Sequence, residues 1–242
     1  MSQPTAASTP DVSAASTTRT NRSFAWPSAW ARLLLVLVLG LSADLASKYW
    51  AFASVADEPV HMDREELLND PYWTPPPHQG RHILPWSLLD LRLVINRGAV
   101  FGIGAHKRFF FIAFTLAALT AGLVVFGRFT TRSQWLAHVA LGLILAGGLG
   151  NLYDRIVYGV VRDFLHLLPG WHLPFGWRYP QFLGGGNEVF PWVFNVADVM
   201  LLTGMGLLML HINRLEKHKK KLDRESASPS CPRPREAASA DH

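Results

Sequence analysis

The chain has 242 residues, 49% of them hydrophobic, and a formal net charge of +5. That length suits one domain with tails, and a single cysteine, Cys231, excludes a disulfide framework and a cysteine-based metal site. The basic residues lie beside apolar runs, a placement that fits membrane topology and argues against a nucleic-acid partner.

Residues 1–28 are rich in Ser, Thr, Ala and Pro, with almost no large apolar residue before Phe24, and are expected to be a disordered tail. Arg19, Arg22 and Arg32 then precede an apolar run from Leu33. The run looks like the start of a signal peptide, but no Ala-x-Ala-like site follows, and apolar character resumes after Asp44 and Lys48. A first transmembrane helix over about 33–54 is therefore expected, since roughly 20 residues cross the hydrocarbon core. Residues 55–108 are a long mixed segment whose second half, Leu84 to Gly102, alternates apolar and polar residues and reads as strand in a small outward-facing β-sheet. Uncharged runs bracketed by Lys or Arg place a second span at about 109–127 and a third at about 133–155. Residues 159–190, rich in Gly, Pro and Trp, read as an interfacial loop. A fourth span at about 192–213 holds one charge, Asp198, and the basic chain from 216 to 242 is expected to be a second disordered tail.

The fold expected is thus a membrane α-helical bundle of four spans, with residues 29–215 as the membrane domain. Four spans put both termini on one side, and the Arg residues between the second and third spans make that side cytoplasmic. Asp44, Lys48, Asn151, Asp154, Asp163, Asn195 and Asp198 then all fall toward the outer face.

Ionisable groups are costly to bury in a membrane, so this convergence points to a site. Asn195 and Asp198 are three residues apart on a helix and share a face, as do Asn151 and Asp154. Asp44 and Lys48, four apart, can pair. Gly159 reads as a helix C-cap, placing Asp163 on an extended piece just beyond the third span. Two carboxylates close together in low dielectric share a proton, so one can activate water while the other polarises a carbonyl. Spacing leaves Asp44, Asp154, Asp163 and Asp198 all open as members of the pair. For Asp154, an ion pair with the adjacent Arg155 would suffice, and that structural role stands beside a direct one. Asp198 has no base within a turn of its own helix.

Asp44-x-x-x-Lys48, Asn96-Arg-Gly-Ala-Val-Phe-Gly102, Gly150-Asn-Leu-Tyr-Asp-Arg155 with Val161-Arg-Asp-Phe164, and Phe194-Asn-Val-Ala-Asp198 resemble, in order, the motifs of the bacterial lipoprotein signal peptidases. The resemblance covers roughly residues 30–213. It implies an aspartyl endopeptidase of the bacterial cytoplasmic membrane, inhibited by globomycin, that removes signal peptides from prolipoproteins just before the diacylglyceryl-modified cysteine. It further implies Asp163 and Asp198 as catalytic dyad, with no cofactor. Asp44, Lys48, Asn96, Gly98, Ala99, Phe101, Asn151, Asp154, Arg155, Asn195 and Ala197 would bind substrate or support the site. Val100 stands where a second alanine is common in the family, and the outward segments 55–83 and 165–190 are longer than usual. The histidines show no His-Glu-x-x-His spacing for a metal, and an ion-coupled transporter would be expected to carry an internal repeat, of which the sequence shows none.

Overall fold

The structure, a computed structural model, describes residues 22–98 and 108–227. Among the described residues, four helices are long and apolar enough to cross a membrane: α1 (Pro27–Ser54), α3 (Arg108–Phe129), α4 (Trp135–Val157) and α5 (Val196–Ala227). A short α2 (Arg64–Asn69) lies outside them. α1 starts six residues before the expected position because Pro27, at its first turn, needs no N–H and already has helical φ. The extra turns are used: Ala29 and Leu33 pack against Phe126, Leu141 and Leu145.

α4 is the bundle's centre, with 61% of its apolar window buried against 17% or less for the other three. Close approach is what its glycines provide. A β-carbon on Gly147 would run into the Ala197 carbonyl, and one on Gly150 into the Asp44 carboxylate. Small residues at such contacts let membrane helices approach backbone to backbone, where packing and hydrogen bonding hold them.

At one end of the bundle lies a four-stranded antiparallel sheet in the order β1 (Arg81–His82), β2 (Leu89–Asn96), β3 (Val161–Leu167), β4 (Val193–Phe194). Leu91, Leu93 and Phe164 pack on Ala51, Phe52 and Val55 at the end of α1, so the sheet sits on the bundle as a lid of fixed orientation. The register slips by one residue between Leu91 and Val94 of β2, a bulge immediately before the pairing of Val94 with Asp163.

Four further boundaries differ from expectation. Among the described residues the alternating run from Leu84 is strand over 89–96, because Pro85–Ser87 forms a 3-10 turn with Trp86 at φ 59°. The segment 159–190 is not all loop: its first part pairs on both edges as β3. The fourth span does not begin at 192, since Val193–Phe194 is held in the sheet and helix starts only at Val196. Residues 216–227, expected in the tail, continue α5 instead. No Gly or Pro interrupts the chain between Ile212 and Ala227, its Lys, Glu, Arg and Leu are good helix formers, and Lys221 pairs with Glu225 at 3.8 Å.

Candidate active site

The sheet and the helix ends bring two carboxylates together. Gly159, at φ 83°, turns the chain out of α4 into β3, which carries Asp163 back over the bundle. β3 pairs with β4 (Leu165 with Phe194), and β4 runs directly into α5, so Asn195 and Asp198 arrive beside Asp163. Asp163 is 1% exposed and Asn195 fully buried.

Asn195 touches both acids. Its side-chain Nδ2 donates to Asp163 Oδ1 at 2.6 Å, and its backbone N–H donates to Asp198 Oδ2 at 3.2 Å. The Asp198 backbone N–H donates in return to Asn195 Oδ1 at 3.1 Å. This reciprocal pair is a capping box at the start of α5, with Asn in place of Ser and Asp in place of Glu. Asn151 supplies the second link, its Nδ2 donating to Asp198 Oδ1 at 2.9 Å while its Oδ1 accepts from Asn195 Nδ2 at 3.1 Å.

Beneath this lies a buried group of four charges that cancel. Lys48 Nζ donates to Asp44 Oδ2 at 2.8 Å and Asn151 Oδ1 at 3.1 Å, and lies 3.4 Å from Asp154 Oδ2. Asp154 accepts from Arg162 three times: backbone N at 3.0 Å, Nε at 3.2 Å and Nη2 at 2.8 Å. Asp44 Oδ1 accepts from the Ala197 backbone N–H at 2.9 Å, satisfying a donor of the first turn of α5 that has no intrahelical partner.

The partner of Asp154 is therefore Arg162 and not Arg155. Residues adjacent on a helix point about 100° apart, whereas the turn at Gly159 brings Arg162 back over α4. Arg155 instead donates to the Asn151 carbonyl and, at 3.2 Å, to the Gly98 carbonyl, which pins the segment after β2. Asn96, at the end of β2, bonds the Asp163 carboxyl and accepts from Gly98 N at 3.0 Å. Ala99 and Phe101 lie outside the described residues. Arg162 is the site residue that sequence reasoning missed; the signal available was its position beside Asp163 in a strand, across a glycine turn from a buried acid.

Burial pushes the Asp163 carboxyl up to about 8, with the like charge of Asp198 acting in the same direction. The hydrogen bonds from Asn195 and Asn96 pull the other way without overcoming it. The shift favours the protonated form of Asp163 at neutral pH.

These features define a four-span membrane protein with a paired-aspartate centre under a small sheet. The sequence model of signal peptidase (SPase) II matches residues 35–214. A lipoprotein signal peptidase of Symbiobacterium thermophilum is 37% identical over 140 residues, 58% of this chain and 80% of that protein. One from Methylorubrum extorquens is 33% identical over 181 residues, 73% of this chain and 82% of that protein. A solved bacterial membrane enzyme superposes with TM-score 0.54 at 24% identity over 77% of this chain and 90% of its own, a likeness of fold. The chain belongs to the signal peptidase II family.

Proposed function

We propose that the protein is an aspartyl endopeptidase that cleaves prolipoproteins before their diacylglyceryl-modified cysteine, with Asp163 and Asp198 as the catalytic pair. The observation that carries this reading is the shared hold of Asn195 on both carboxylates, together with the carboxyl of Asp163 being raised to about 8. Asp163 is buried and Asp198 only half-buried, and such a difference in surroundings supports separate acid and base roles.

In this reading Asp198 acts as the base, taking a proton from water as the water oxygen attacks the scissile carbonyl. Asp163 passes its proton to the oxygen that becomes tetrahedral, and its charge is briefly tolerated through the Asn195 and Asn96 hydrogen bonds. On collapse the C–N bond breaks, Asp198 delivers its proton to the leaving amine, and Asp163 recovers its own from the hydroxyl. Water is consumed, and both carboxyls return to their starting states. Asn96, Gly98, Ala99, Phe101, Asn151, Arg155 and Ala197 are read as binding or shaping the substrate channel, and Asp44, Lys48 and Asp154 as its support.

The arginines between α3 and α4 support a reading in which both termini face the cytoplasm and the carboxylates the outer side of a bacterial cytoplasmic membrane. Purified Asp163→Asn and Asp198→Asn proteins, inserted at normal levels, should each fail to cleave a lipid-modified prolipoprotein. Processing by either at a near wild-type rate removes that residue from the pair.

A further inference from the structure

At the end of the bundle opposite the carboxylates, an open cleft of about 560 Å³ is lined by Arg32, Arg132, Ser133 and Trp135. It has no part in the peptidase reading. Its donors are numerous and its acceptors few. Arg32 Nη1 is held from behind by the Arg132 carbonyl at 3.1 Å and His138 Nδ1 at 3.3 Å, and no protein group bonds its Nη2 among the described residues. The Arg132 guanidinium lies 4.3 Å over the Trp26 ring. α4 begins here without a side-chain cap and without an acidic residue in its first turn; the Trp135 N–H bonds the Ser133 carbonyl, and the positive end of the helix dipole adds to the potential. Among the described residues no carboxylate pairs with Arg32 or Arg132.

The buried side of the cleft is built to hold Arg32 still. His138 is fully buried, and because its Nδ1 accepts from Arg32, its Nε2–H donates to Ser23 Oγ at 2.8 Å. Thr130 donates to the Phe126 carbonyl at 2.6 Å and so takes the Ser23 proton at 2.8 Å, which closes a one-way chain of bonds behind the guanidinium. In front, the cleft opens beside lipid-facing apolar surface: Trp135 is 59% exposed and Leu35, one turn along α1, 61%.

From this geometry we infer that the cleft binds the phosphodiester headgroup of an anionic phospholipid in the leaflet opposite the carboxylates. The two arginines and the α4 terminus take the phosphate, while Trp135 and Leu35 meet the upper acyl chain. The volume lies within the range of small-molecule sites and exceeds what one phosphate ion fills. An arginine at a membrane surface strengthens such binding about five-fold.

The test is native mass spectrometry of the full chain with phosphatidylglycerol or phosphatidylcholine, with inorganic phosphate as competitor. The wild type should retain phosphatidylglycerol in preference to phosphatidylcholine. Arg132→Gln, which keeps the backbone carbonyl that holds Arg32, should lower that retention about five-fold, and Arg32→Gln with Arg132→Gln about 25-fold. Arg32→Lys keeps a charge at the site, so its retention should fall less than that of Arg32→Gln even if the His138 contact weakens. Prolipoprotein cleavage by Arg132→Gln in neutral detergent should be unchanged. Equal retention of both lipids, retention unaffected in the double variant, or displacement of the lipid by an equal concentration of inorganic phosphate would each overturn the assignment.

Discussion

The raised Asp163 carboxyl has a consequence for stability that is separable from catalysis. An Asp with an unfolded value of 3.8 and a folded value of about 8 is, between those two pH values, protonated in the native state and ionised in the unfolded chain. Its folded value is raised, so the native state is penalised as pH increases: the penalty is absent below about pH 4, grows through the interval, and levels off above about pH 8. At about 1.4 kcal/mol per pH unit the full penalty is roughly 5 to 6 kcal/mol, with about 4 kcal/mol of it accruing between pH 5 and pH 9. These are upper values, since local relaxation lets water reach the charge. Asp163→Asn keeps the size and the bond from Asn195 but never ionises. Its melting temperature, followed by tryptophan fluorescence in detergent, should exceed that of the wild type by a margin that grows with pH and then levels near pH 8. At 2–4 °C per kcal/mol for a chain this long, that corresponds to a growth of up to about 8–16 °C. Because burial is the larger cause and Asp198 the lesser, the same profile measured in an Asp198→Asn background should keep its shape with its plateau moved to lower pH. A difference in melting temperature that is flat from pH 5 to pH 9 would refute the reasoning.

Two further substitutions separate positioning from folding. Asn195→Ala removes the α5 cap and the donor to Asp163 together. It should cost about 1–2 kcal/mol of stability and lower kcat at least 100-fold with little change in KM, measured on the same folded fraction. Arg162→Met leaves Asp154 buried with Lys48 as its remaining cationic contact and should destabilise by about 3–5 kcal/mol, read as lost yield and a lower melting temperature; Asp154→Asn in the same chain should recover most of that loss.

The spans were legible because a hydrocarbon core demands long uncharged runs, and the apolar sequence supplies four. Their ends were less so. β4 is two residues long and exists because β3 is there to pair with it, so no local pattern marks where strand gives way to α5. Within the site, pairs set by helical spacing, such as Asp44 with Lys48, could be read directly. The partner of Asp154 could not, because it depends on how sharply Gly159 turns the chain. The sequence also offered no structural role for Asp198, whereas its reciprocal bonds with Asn195 give it one: it closes the first turn of α5 as well as standing beside Asp163.

That second role bears on why four cancelling charges are buried below the pair. Buried ion pairs rarely add net stability, since desolvation offsets their attraction. What these add is direction. An amide such as Asn151 can face Asp198 with its NH₂ or with its carbonyl oxygen, and only the first is attractive. Lys48, by donating to Asn151 Oδ1, selects the orientation that leaves Nδ2 for Asp198. Asp44 and Asp154 hold Lys48 in place, Arg162 holds Asp154, and Asp44 is held in turn by the Ala197 N–H of the helix that carries Asp198. Asn195 is oriented the same way, with the Asp198 N–H on its oxygen leaving its NH₂ for Asp163. Each carboxylate therefore meets a donor whose flip would cost a buried bond at its other end. The geometry of two neighbouring acids is kept by groups that are themselves neutral in sum.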